Sequence, residues 1–360
     1  MKILNIIDIP WNSGITSYAM ELSKGLLQNG HKIFFAGVKD SLPLQIAKEN
    51  GFEAVEICTR KSPFILGSVL RLKKLIEKEG IDIVNAHTGK SHFLAYLSSL
   101  FSDKKFAIIR TKSDTRYPKK NFLYKKTAKI IVASEFIRKQ YLNIRIEPGK
   151  VITIYQGIKL NNFRLPTGVY PAKSGDSRLP IIGIIGRLDP VKGHKYFLGA
   201  AASVLKEIPD AKFLVAGKEE NIKYEELKKL AVKLGIEKSV EFLGYVSDVN
   251  DFMSKCTLGV ITSTGSEAVS RVLLEWMVCG KPVVATLVGC IPEILEEKFL
   301  VSPCNTEILA RKIIELLQNP ALAKNAGETN RKKIGEKFNL EKFVTETEKI
   351  YDEAINDFAY

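Results

Sequence analysis

The sequence predicts an α/β protein with two doubly wound parallel-sheet domains. Short runs rich in β-branched residues alternate with segments of helical periodicity along most of its 360 residues, a pattern typical of βαβ units. A turn-rich stretch from Gly157 to Pro180 interrupts this alternation once. At about 150 residues per domain, the length of the chain also suits two domains.

The predicted first domain covers residues 1–160. Its first helix is amphipathic, with Ala19 and Leu22 on the apolar face, and it ends at Gly30. Because strand and helix patterns alternate, we expect a parallel sheet. Its predicted strands are Lys2–Ile7, Lys32–Ala36, Ala54–Ile57, Asp82–Asn85, Phe106–Ile109, Lys129–Ala133 and Val151–Ile154.

A linker is predicted over residues 161–180, and the second domain over residues 181–338. Beyond Pro320 the pattern is helical, and a last helix within residues 339–360 is long enough to pack across both domains. The predicted strands of the second domain are Ile181–Ile185, Lys212–Ala216, Val240–Leu243, Leu258–Ile261 and Val283–Ala285.

The composition is that of a globular protein, because 45% of the residues are apolar and 26% are charged. The apolar run within Met1–Pro10 is too short for a signal peptide, and no stretch approaches the roughly 18 apolar residues of a membrane span. The five cysteines show no C-x-x-C spacing, so neither a disulfide framework nor a zinc site is indicated. We therefore expect a cytoplasmic protein.

The net charge of +14 is unevenly distributed along the chain. Residues 1–165 contain 28 basic and 13 acidic residues, whereas residues 166–360 contain 26 and 27. Ten basic residues lie from Lys104 to Lys129 against Asp114 alone. Such a block either attracts polyanions or an anionic lipid surface, or is merely a solvated face. Nucleic acid is not expected as a partner, because no signature of a nucleic-acid-binding fold is present.

Ligands are expected at the carboxyl ends of the strands, where helix N-termini favour anions. The turn after the first predicted strand contains Ser13-Gly14 and lacks the dinucleotide fingerprint, which argues against a hydride-transfer dehydrogenase. Gly14 either lets a backbone N–H approach a phosphate or only serves the turn. Arg187 and Lys192 follow the first strand of the second domain, where two cations can clamp a diphosphate or simply face solvent.

Two glutamates accompany a predicted apolar helix in the second domain. Glu267 precedes the apolar segment Val272–Val278, and Glu275 lies within it. A carboxylate among apolar neighbours requires a hydrogen-bond donor. For Glu275 that donor is either a ligand such as a ribose diol or a nearby lysine or arginine.

Five short motifs occur in order along the second half of the chain. They are Gly-Arg-Leu-x-x-x-Lys-Gly at 186–193, Phe-Leu-Gly at 242–244, Glu-x7-Glu at 267–275, Gly-Lys-Pro-Val-Val at 280–284 and Gly-x-x-Pro-Glu at 289–293. The ordered set resembles the retaining glycosyltransferases of family 4 (glycosyl transferases group 1), and is similar to lipopolysaccharide-core and other cell-envelope enzymes of bacteria. The resemblance implies the GT-B fold, with two facing Rossmann-like domains and a C-terminal helix that crosses back to the first.

The resemblance also implies roles for the candidate site residues. Arg187 and Lys192 would bind the donor diphosphate, and Glu267 would contact hydroxyls of the donor sugar. His87, which the residues alone would make a structural histidine, matches the family histidine near the donor sugar, so these four form the expected catalytic set. The remaining donor-binding residues would be Gly14, Gly244, Ala268, Val269, Ser270 and Glu275, the last holding the nucleotide ribose.

The predicted reaction is the transfer of a sugar, with retention and without a metal or other cofactor, from a nucleotide-diphosphate donor to an acceptor hydroxyl. The second domain would bind the donor and the first the acceptor, and the departing diphosphate would deprotonate the acceptor. Catalysis would then depend on stabilising the charge of the leaving group.

The basic block of the first domain adds a prediction about the acceptor. We expect an anionic, lipid-linked saccharide such as lipopolysaccharide core, reached from the inner face of the cell membrane. The predicted acceptor contacts are Arg110, Lys112, Arg116, Lys119 and Lys120. Two alternatives stay open: a GT-B-fold sugar-nucleotide epimerase, and a non-catalytic protein that binds nucleotide sugars or polyanions.

Overall fold

The chain folds into two α/β units. The computed structural model describes residues 1–11, 13–58, 62–160 and 179–357. One unit comprises Met1–Gly157 together with Leu340–Tyr360, and the other comprises Ile158–Asn339. All of the predicted linker except residues 179 and 180 lies outside the described residues.

The first unit is a seven-stranded parallel sheet with strand order β3-β2-β1-β4-β5-β6-β7. Its strands are β1 (Lys2–Ile7), β2 (Lys32–Val38), β3 (Glu53–Ile57), β4 (Ile83–Ala86), β5 (Ala107–Lys112), β6 (Lys129–Val132) and β7 (Val151–Thr153). Its helices are α1 (Gly14–Gln28), α2 (Leu42–Glu49), α3 (Ser62–Glu79), α4 (Gly89–Phe101) and α5 (Glu135–Asn143). The strand order reverses between β1 and β4, the switch point at which such sheets bind ligands.

The second unit is a six-stranded parallel sheet with strand order β10-β9-β8-β11-β12-β13. Its strands are β8 (Ile181–Ile185), β9 (Lys212–Ala216), β10 (Val240–Gly244), β11 (Leu258–Ile261), β12 (Val283–Thr286) and β13 (Leu300–Val301). Its helices are α6 (His194–Glu207), α7 (Tyr224–Lys233), α8 (Val249–Lys255), α9 (Arg271–Val278), α10 (Ile291–Ile294), α11 (Thr306–Gln318) and α12 (Pro320–Lys337). The switch point here lies between β8 and β11.

These two sheets confirm the predicted fold class, and every predicted strand is present. The two-residue strand β13 was not predicted, because two residues are too few to show a periodic pattern. The strand predicted over Phe106–Ile109 instead runs over Ala107–Lys112, so Arg110 lies inside it and not at its end.

The last helix, α13 (Leu340–Asn356), belongs to the first unit, as predicted for a C-terminal helix that crosses back. The rings of Phe343 and Tyr18 meet edge to face at 4.9 Å. Gly25 of α1 allows this approach, since a Cβ there would lie 2.2 Å from the Val344 side chain. Close packing of α13 on α1 therefore depends on a glycine at position 25.

Because α13 belongs to the first unit, the net charges of the two units differ from those of the two halves of the sequence. The first unit contains 28 basic and 19 acidic residues, a net charge of +9, and the second contains 26 and 21, a net charge of +5. Lys129, part of the basic block, lies 3.7 Å from Glu353 and 3.2 Å from Asp357 of this C-terminal segment. The excess of positive charge is therefore shared more evenly between the units than between the halves of the sequence.

Over the described part of the chain, none of the helices combines the length and the apolar character required to cross a bilayer.

Candidate active site

A cavity of about 130 Å³ lies at the switch point of the second unit. It is formed by the turn after β8, the loop after β11 and the beginning of α9. Its polar lining includes Gly186, Lys192, His194, Ser263, Glu267 and Ser270. Two of the five motifs, Gly-Arg-Leu-x-x-x-Lys-Gly and Glu-x7-Glu, thus contribute to the lining at the place where the topology predicts a ligand.

Two hydrogen bonds hold the turn after β8 against the loop after β11. The Thr262 hydroxyl donates to the carbonyl of Lys192 at 2.8 Å, and the Thr264 N–H donates to the carbonyl of Val191 at 2.8 Å. Gly193 has φ +70°, and a Cβ there would lie 2.0 Å from the Thr262 carbonyl oxygen. Only glycine permits this contact, so the backbone that carries Lys192 has a fixed position.

Glu267 is buried in the cavity and has two donors on the same oxygen. Its Oε1 accepts from Lys192 Nζ at 2.6 Å and from Ser263 Oγ at 2.6 Å. Its backbone carbonyl accepts from the N–H of Cys290 at 2.8 Å, and a Cβ on Gly289 would lie 2.0 Å from that carbonyl oxygen. The Gly-x-x-Pro-Glu motif therefore holds the glutamate loop through its backbone.

Glu275 lies one turn along α9 and is also buried. Its Oε1 accepts from Arg271 Nε at 2.9 Å. Burial raises the pKa of the Glu275 carboxyl, and the neighbouring Arg271 guanidinium acts in the opposite direction. The arginine partner that the sequence left open is therefore present. A carboxylate has roughly four acceptor sites, so this bond leaves acceptor sites unused, while Glu275 lies behind the residues that line the cavity.

Arg187 lies outside the set of residues that line the cavity. Its guanidinium pairs with Glu220, and both side chains are largely exposed. The segment that carries Glu220 packs against the turn after β8. The Leu188 N–H donates to the Lys218 carbonyl at 2.8 Å, and Gly217 lies close to the Gly186 carbonyl. A diphosphate bound by Arg187 would have to compete with Glu220.

The other predicted donor contacts lie at the same edge of the sheet. Val269 and Ser270 line the cavity, whereas Ala268 is buried beside Glu267. Gly244 ends β10 with φ +72°, two strands away from β8. Its carbonyl accepts from the Tyr224 hydroxyl at 3.2 Å. The structure thus places Gly244 beyond the cavity lining.

His87 lies at the switch point of the first unit, directly after β4. The side chain is fully buried, and its Nε2 lies 2.9 Å from Asn5 Oδ1. Burial, and then the charge of Arg110, lowers the pKa of His87 to about 3, so the ring is neutral near pH 7. Gly14 begins α1 after β1, and open space surrounds the position of a Cβ there. Neither its φ nor its packing demands glycine.

The predicted acceptor residues divide into two groups. Arg110 and Lys112 are buried in β5, where Arg110 donates to the Ala86 carbonyl at 2.9 Å and Lys112 pairs with Asp114. Burial lowers the pKa of Lys112 to about 8. Exposed side chains belong to Arg116, Lys119 and Lys120. Only this second group forms a surface that a large anionic partner can reach directly.

Four polar residues that line the cavity were not predicted as site residues: Thr262, Ser263, His194 and Arg271. Ser263 hydrogen-bonds to Glu267, and its signal was a hydroxyl two residues after a buried strand. His194 is buried, lines the cavity and begins α6; burial and the nearby Lys192 lower its pKa to about 4. In the sequence His194 was only the residue after the Lys-Gly pair.

Comparison with known proteins agrees with this geometry. The family model "Glycosyltransferase Family 4" matches residues 12–162, and the model "Glycosyl transferases group 1" matches residues 171–333. An uncharacterized glycosyltransferase of Methanocaldococcus jannaschii is 31% identical over 300 residues, covering 78% of each chain. The chain belongs to glycosyltransferase family 4.

Other relatives of this family 4 glycosyltransferase have named activities. N-acetyl-alpha-D-glucosaminyl L-malate synthase of Bacillus anthracis is 27% identical over 99% of this chain and 98% of the relative. A Campylobacter jejuni N-acetylgalactosaminyltransferase whose name specifies a diphospho-undecaprenol-linked saccharide is 28% identical over 63% of this chain and 62% of its own. The crystal structure of HepE from Anabaena in complex with UDP superposes with a TM-score of 0.86 at 19% identity, covering 98% and 100% of the two chains, which establishes the GT-B fold.

Proposed function

We propose that this glycosyltransferase moves a sugar from a nucleoside diphosphate to an acceptor hydroxyl, with retention of the anomeric configuration and without a metal ion. The Lys192–Glu267 pair in the cavity at the β8/β11 switch point carries the proposal. One cation for a diphosphate and one carboxylate for sugar hydroxyls lie 2.6 Å apart at the expected place.

The donor diphosphate would lie between Lys192 and the N-terminus of α9. Ser270 precedes this helix, lines the cavity and makes no side-chain capping bond, so the first N–H groups of α9 are suited to phosphate oxygens. Binding would draw Lys192 from Glu267 to the phosphates and free the carboxylate for the sugar. Glu275 would hold the ribose with the acceptor sites that Arg271 leaves unused.

In this mechanism the leaving diphosphate accepts the proton of the acceptor hydroxyl on the same face of the sugar. The protein stabilises the negative charge that develops on the leaving group, through Lys192, Arg187 and the helix N-terminus. Retention is supported by the motifs, which resemble those of retaining enzymes. Product NMR tests it: an α-linked product from an α-linked donor agrees, and a β-linked product contradicts it. Activity that persists in EDTA supports metal independence, and activity lost in EDTA and restored by a divalent ion contradicts it.

Donor binding is tested by thermal shift with UDP-, GDP- and ADP-sugars. A ligand at about a hundredfold its Kd stabilises the protein by about 2.7 kcal/mol. We expect one nucleotide class to shift the wild type and to lose its effect in Glu275→Ala. Glu307→Ala is the control, because it also breaks an i,i+4 ion pair with an arginine, on the exposed face of α11 and without contacting the cavity. No shift with any nucleotide sugar would contradict the proposed donor site.

The acceptor that the first unit supports best is anionic and lipid-linked, with the lipopolysaccharide core as one example. Lys119, Lys120, Lys125 and Lys126 are exposed beside Phe122, whose ring lies 5.3 Å from that of Tyr96 on α4. Further exposed apolar side chains lie on the adjacent helices α3 and α4: Leu66, Leu70, Leu100 and Phe101. Apolar side chains next to lysines are the combination that binds an anionic membrane surface, at about 1 kcal/mol per basic residue.

Vesicle sedimentation tests this surface. Replacing Lys119, Lys120, Lys125 and Lys126 by glutamine should lower binding to phosphatidylglycerol vesicles at least tenfold. The control variant replaces an equal number of exposed lysines in the second unit, namely Lys228, Lys229, Lys233 and Lys238. Equal binding by the two variants would contradict membrane association of the first unit.

A small anionic acceptor is the second candidate, because the malate synthase relative matches this chain over nearly its whole length. Malate and a diphospholipid-linked saccharide share negative charge, which the exposed Arg116 and Lys119 can bind. Turnover with L-malate but not with a lipid-linked acceptor would favour this candidate. The opposite result would favour the lipid.

A further inference from the structure

A continuous network of uncharged polar side chains crosses the interior of the first unit. It joins three strands and two helices, and each member is at most 1% exposed. The members are Asn5 on β1, Asn85 on β4, His87 after β4, Thr111 on β5, Ser23 on α1 and Tyr351 on α13. The network connects the C-terminal helix to the histidine at the switch point.

The sheet register brings the two asparagines together. Asn5 and Asn85 are directly paired residues of the parallel strands β1 and β4. Their neighbours on these strands, such as Ile6 and Val84, are apolar and buried. Buried polar groups are expensive unless every donor and acceptor has a partner, and apolar side chains would build this part of the sheet equally well. The network therefore points to a requirement other than stability.

The hydrogen bonds of the asparagines run in a consistent direction. Asn5 Nδ2 donates to Ser23 Oγ at 3.2 Å, and Asn5 Oδ1 accepts from Asn85 Nδ2 at 3.3 Å. Asn85 Nδ2 also donates to Tyr351 Oη at 2.8 Å, while Asn85 Oδ1 accepts from Thr111 Oγ1 at 2.8 Å. Reversing the direction requires both amides to rotate together, because rotation of one alone sets like atoms against each other.

This direction determines the proton position on His87. With the amides in this orientation Asn5 Oδ1 is an acceptor, so His87 Nε2, 2.9 Å away, carries the proton and donates it. His87 Nδ1 then holds a lone pair, and within the described structure it is buried without a hydrogen-bond partner. An unpaired buried acceptor is unfavourable and is typical of a ligand site.

We infer that Tyr351, Asn85 and Asn5 are positioning residues that hold His87 as the Nε2–H tautomer, so that Nδ1 accepts a hydrogen bond from a hydroxyl of the sugar substrate. This inference rests on the proposed function for its substrate. His87 acts as a neutral acceptor and not as a general acid, and α13 contributes to catalysis through the Tyr351 hydroxyl.

Histidine tautomers are measured directly by two-bond ¹H–¹⁵N correlation NMR on the whole protein. The chain contains four histidines, and His87→Gln assigns the signal of interest. We expect an Nε2–H tautomer that does not titrate between pH 5 and 9, with Arg110 as its charged neighbour. His92 is the internal reference, because its Nε2 lies 2.8 Å from Thr127 Oγ1, which itself donates to the Leu123 carbonyl. An Nδ1–H tautomer for His87, or titration near pH 6.5, overturns the inference.

Steady-state kinetics tests the link to α13. Tyr351→Phe removes one hydroxyl, and we expect kcat to fall about tenfold while the KM for the donor stays within twofold, as for a misplaced catalytic group. Tyr18→Phe is the matched control in the same α1–α13 contact, since its hydroxyl has no hydrogen-bond partner in the described structure. Equal kcat values for the two variants overturn the positioning role. If the wild type transfers no sugar, the proposed function fails, whereas the tautomer is still decided by the NMR spectrum.

Discussion

In the second unit the carboxyl ends of β8 and β11 meet around a cavity that holds the Lys192–Glu267 ion pair. In the first unit the corresponding strands β1 and β4 meet around Asn5, Asn85 and His87, which are uncharged and buried. The strand order around the two switch points is the same. Sheet topology therefore determines where a site lies, while the side chains at that place determine its chemistry.

Solvent access explains why the two sites differ. Lys192 keeps a quarter of its side chain exposed, so an ion pair can exist there without full desolvation of both charges. The network in the first unit is buried, and an unpaired charge within it would be costly, which agrees with its neutral members. The site in the second unit should respond to variants that change charge, and the network in the first unit to variants that change hydrogen-bond direction.

The largest effect is expected from breaking the ion pair. Lys192→Met leaves the Glu267 carboxylate buried without its cation, and we expect a loss of roughly 3 kcal/mol in unfolding free energy. Transfer activity should fall about 10²–10³-fold, because the leaving diphosphate loses its cation. Urea unfolding and kcat/KM measure the two effects.

The double variant Lys192→Met/Glu267→Gln separates stability from catalysis. Removing both charges should recover most of the lost stability while activity stays low. Recovery of activity along with stability would show that Lys192 acts only as a partner for Glu267, and would contradict its assigned role at the diphosphate.

A smaller effect is expected from two glycines, one in each unit. Gly289→Ala forces a Cβ against the Glu267 carbonyl at φ +57°, and should cost about 2–3 kcal/mol. Gly14→Ala meets open space, so stability should change by no more than about 0.5 kcal/mol. If the Gly14 amide approaches a phosphate, Gly14→Ala nevertheless lowers kcat/KM. Unchanged kinetics would leave the glycine as a feature of the turn alone.

The sequence predicted the second switch point better than the first. Its motifs are local, because Arg187, Lys192, Glu267 and Glu275 come from short segments that directly follow strands. The partners of these residues were harder to predict: Ser263 and Glu220 lie in motifs or loops whose contacts depend on how neighbouring strands align. Charge and spacing therefore identify candidate ligands, but not the pairs that they form before a ligand binds.

The buried network could not be predicted from the sequence, for a physical reason. Asn5, Asn85 and Tyr351 are far apart along the chain, and only the register of β1 with β4 and the return of α13 bring them together. The same return of α13 reduced the predicted charge asymmetry. β5 runs three residues beyond its predicted end. Arg110 and Lys112 are therefore buried in the strand and do not belong to the exposed basic surface. Non-local packing decided each of these points.

Acid stability offers the last way to compare the units. Burial lowers the pKa of His87 and His92 to about 3 in the first unit, and that of His194 to about 4 in the second. An unfolded histidine ionises near 6.5, so below this pH the unfolded chain binds more protons and the unfolding free energy falls. From pH 6.5 to 5 each histidine lowers it by about 1.6 kcal/mol, which is about 3 kcal/mol for the first unit and about 1.6 for the second.

Hydrogen exchange with mass spectrometry resolves this loss, because peptides report on each unit separately. His92→Gln should remove about half of the acid loss in the first unit and leave both the second unit and sugar transfer unchanged. His87→Gln should remove a similar share of the acid loss and also abolish most of the transfer. An equal response of both units to acid would show that the histidines do not control it. Equal activity of the two variants would show that His87, like His92, supports the fold and does not bind substrate.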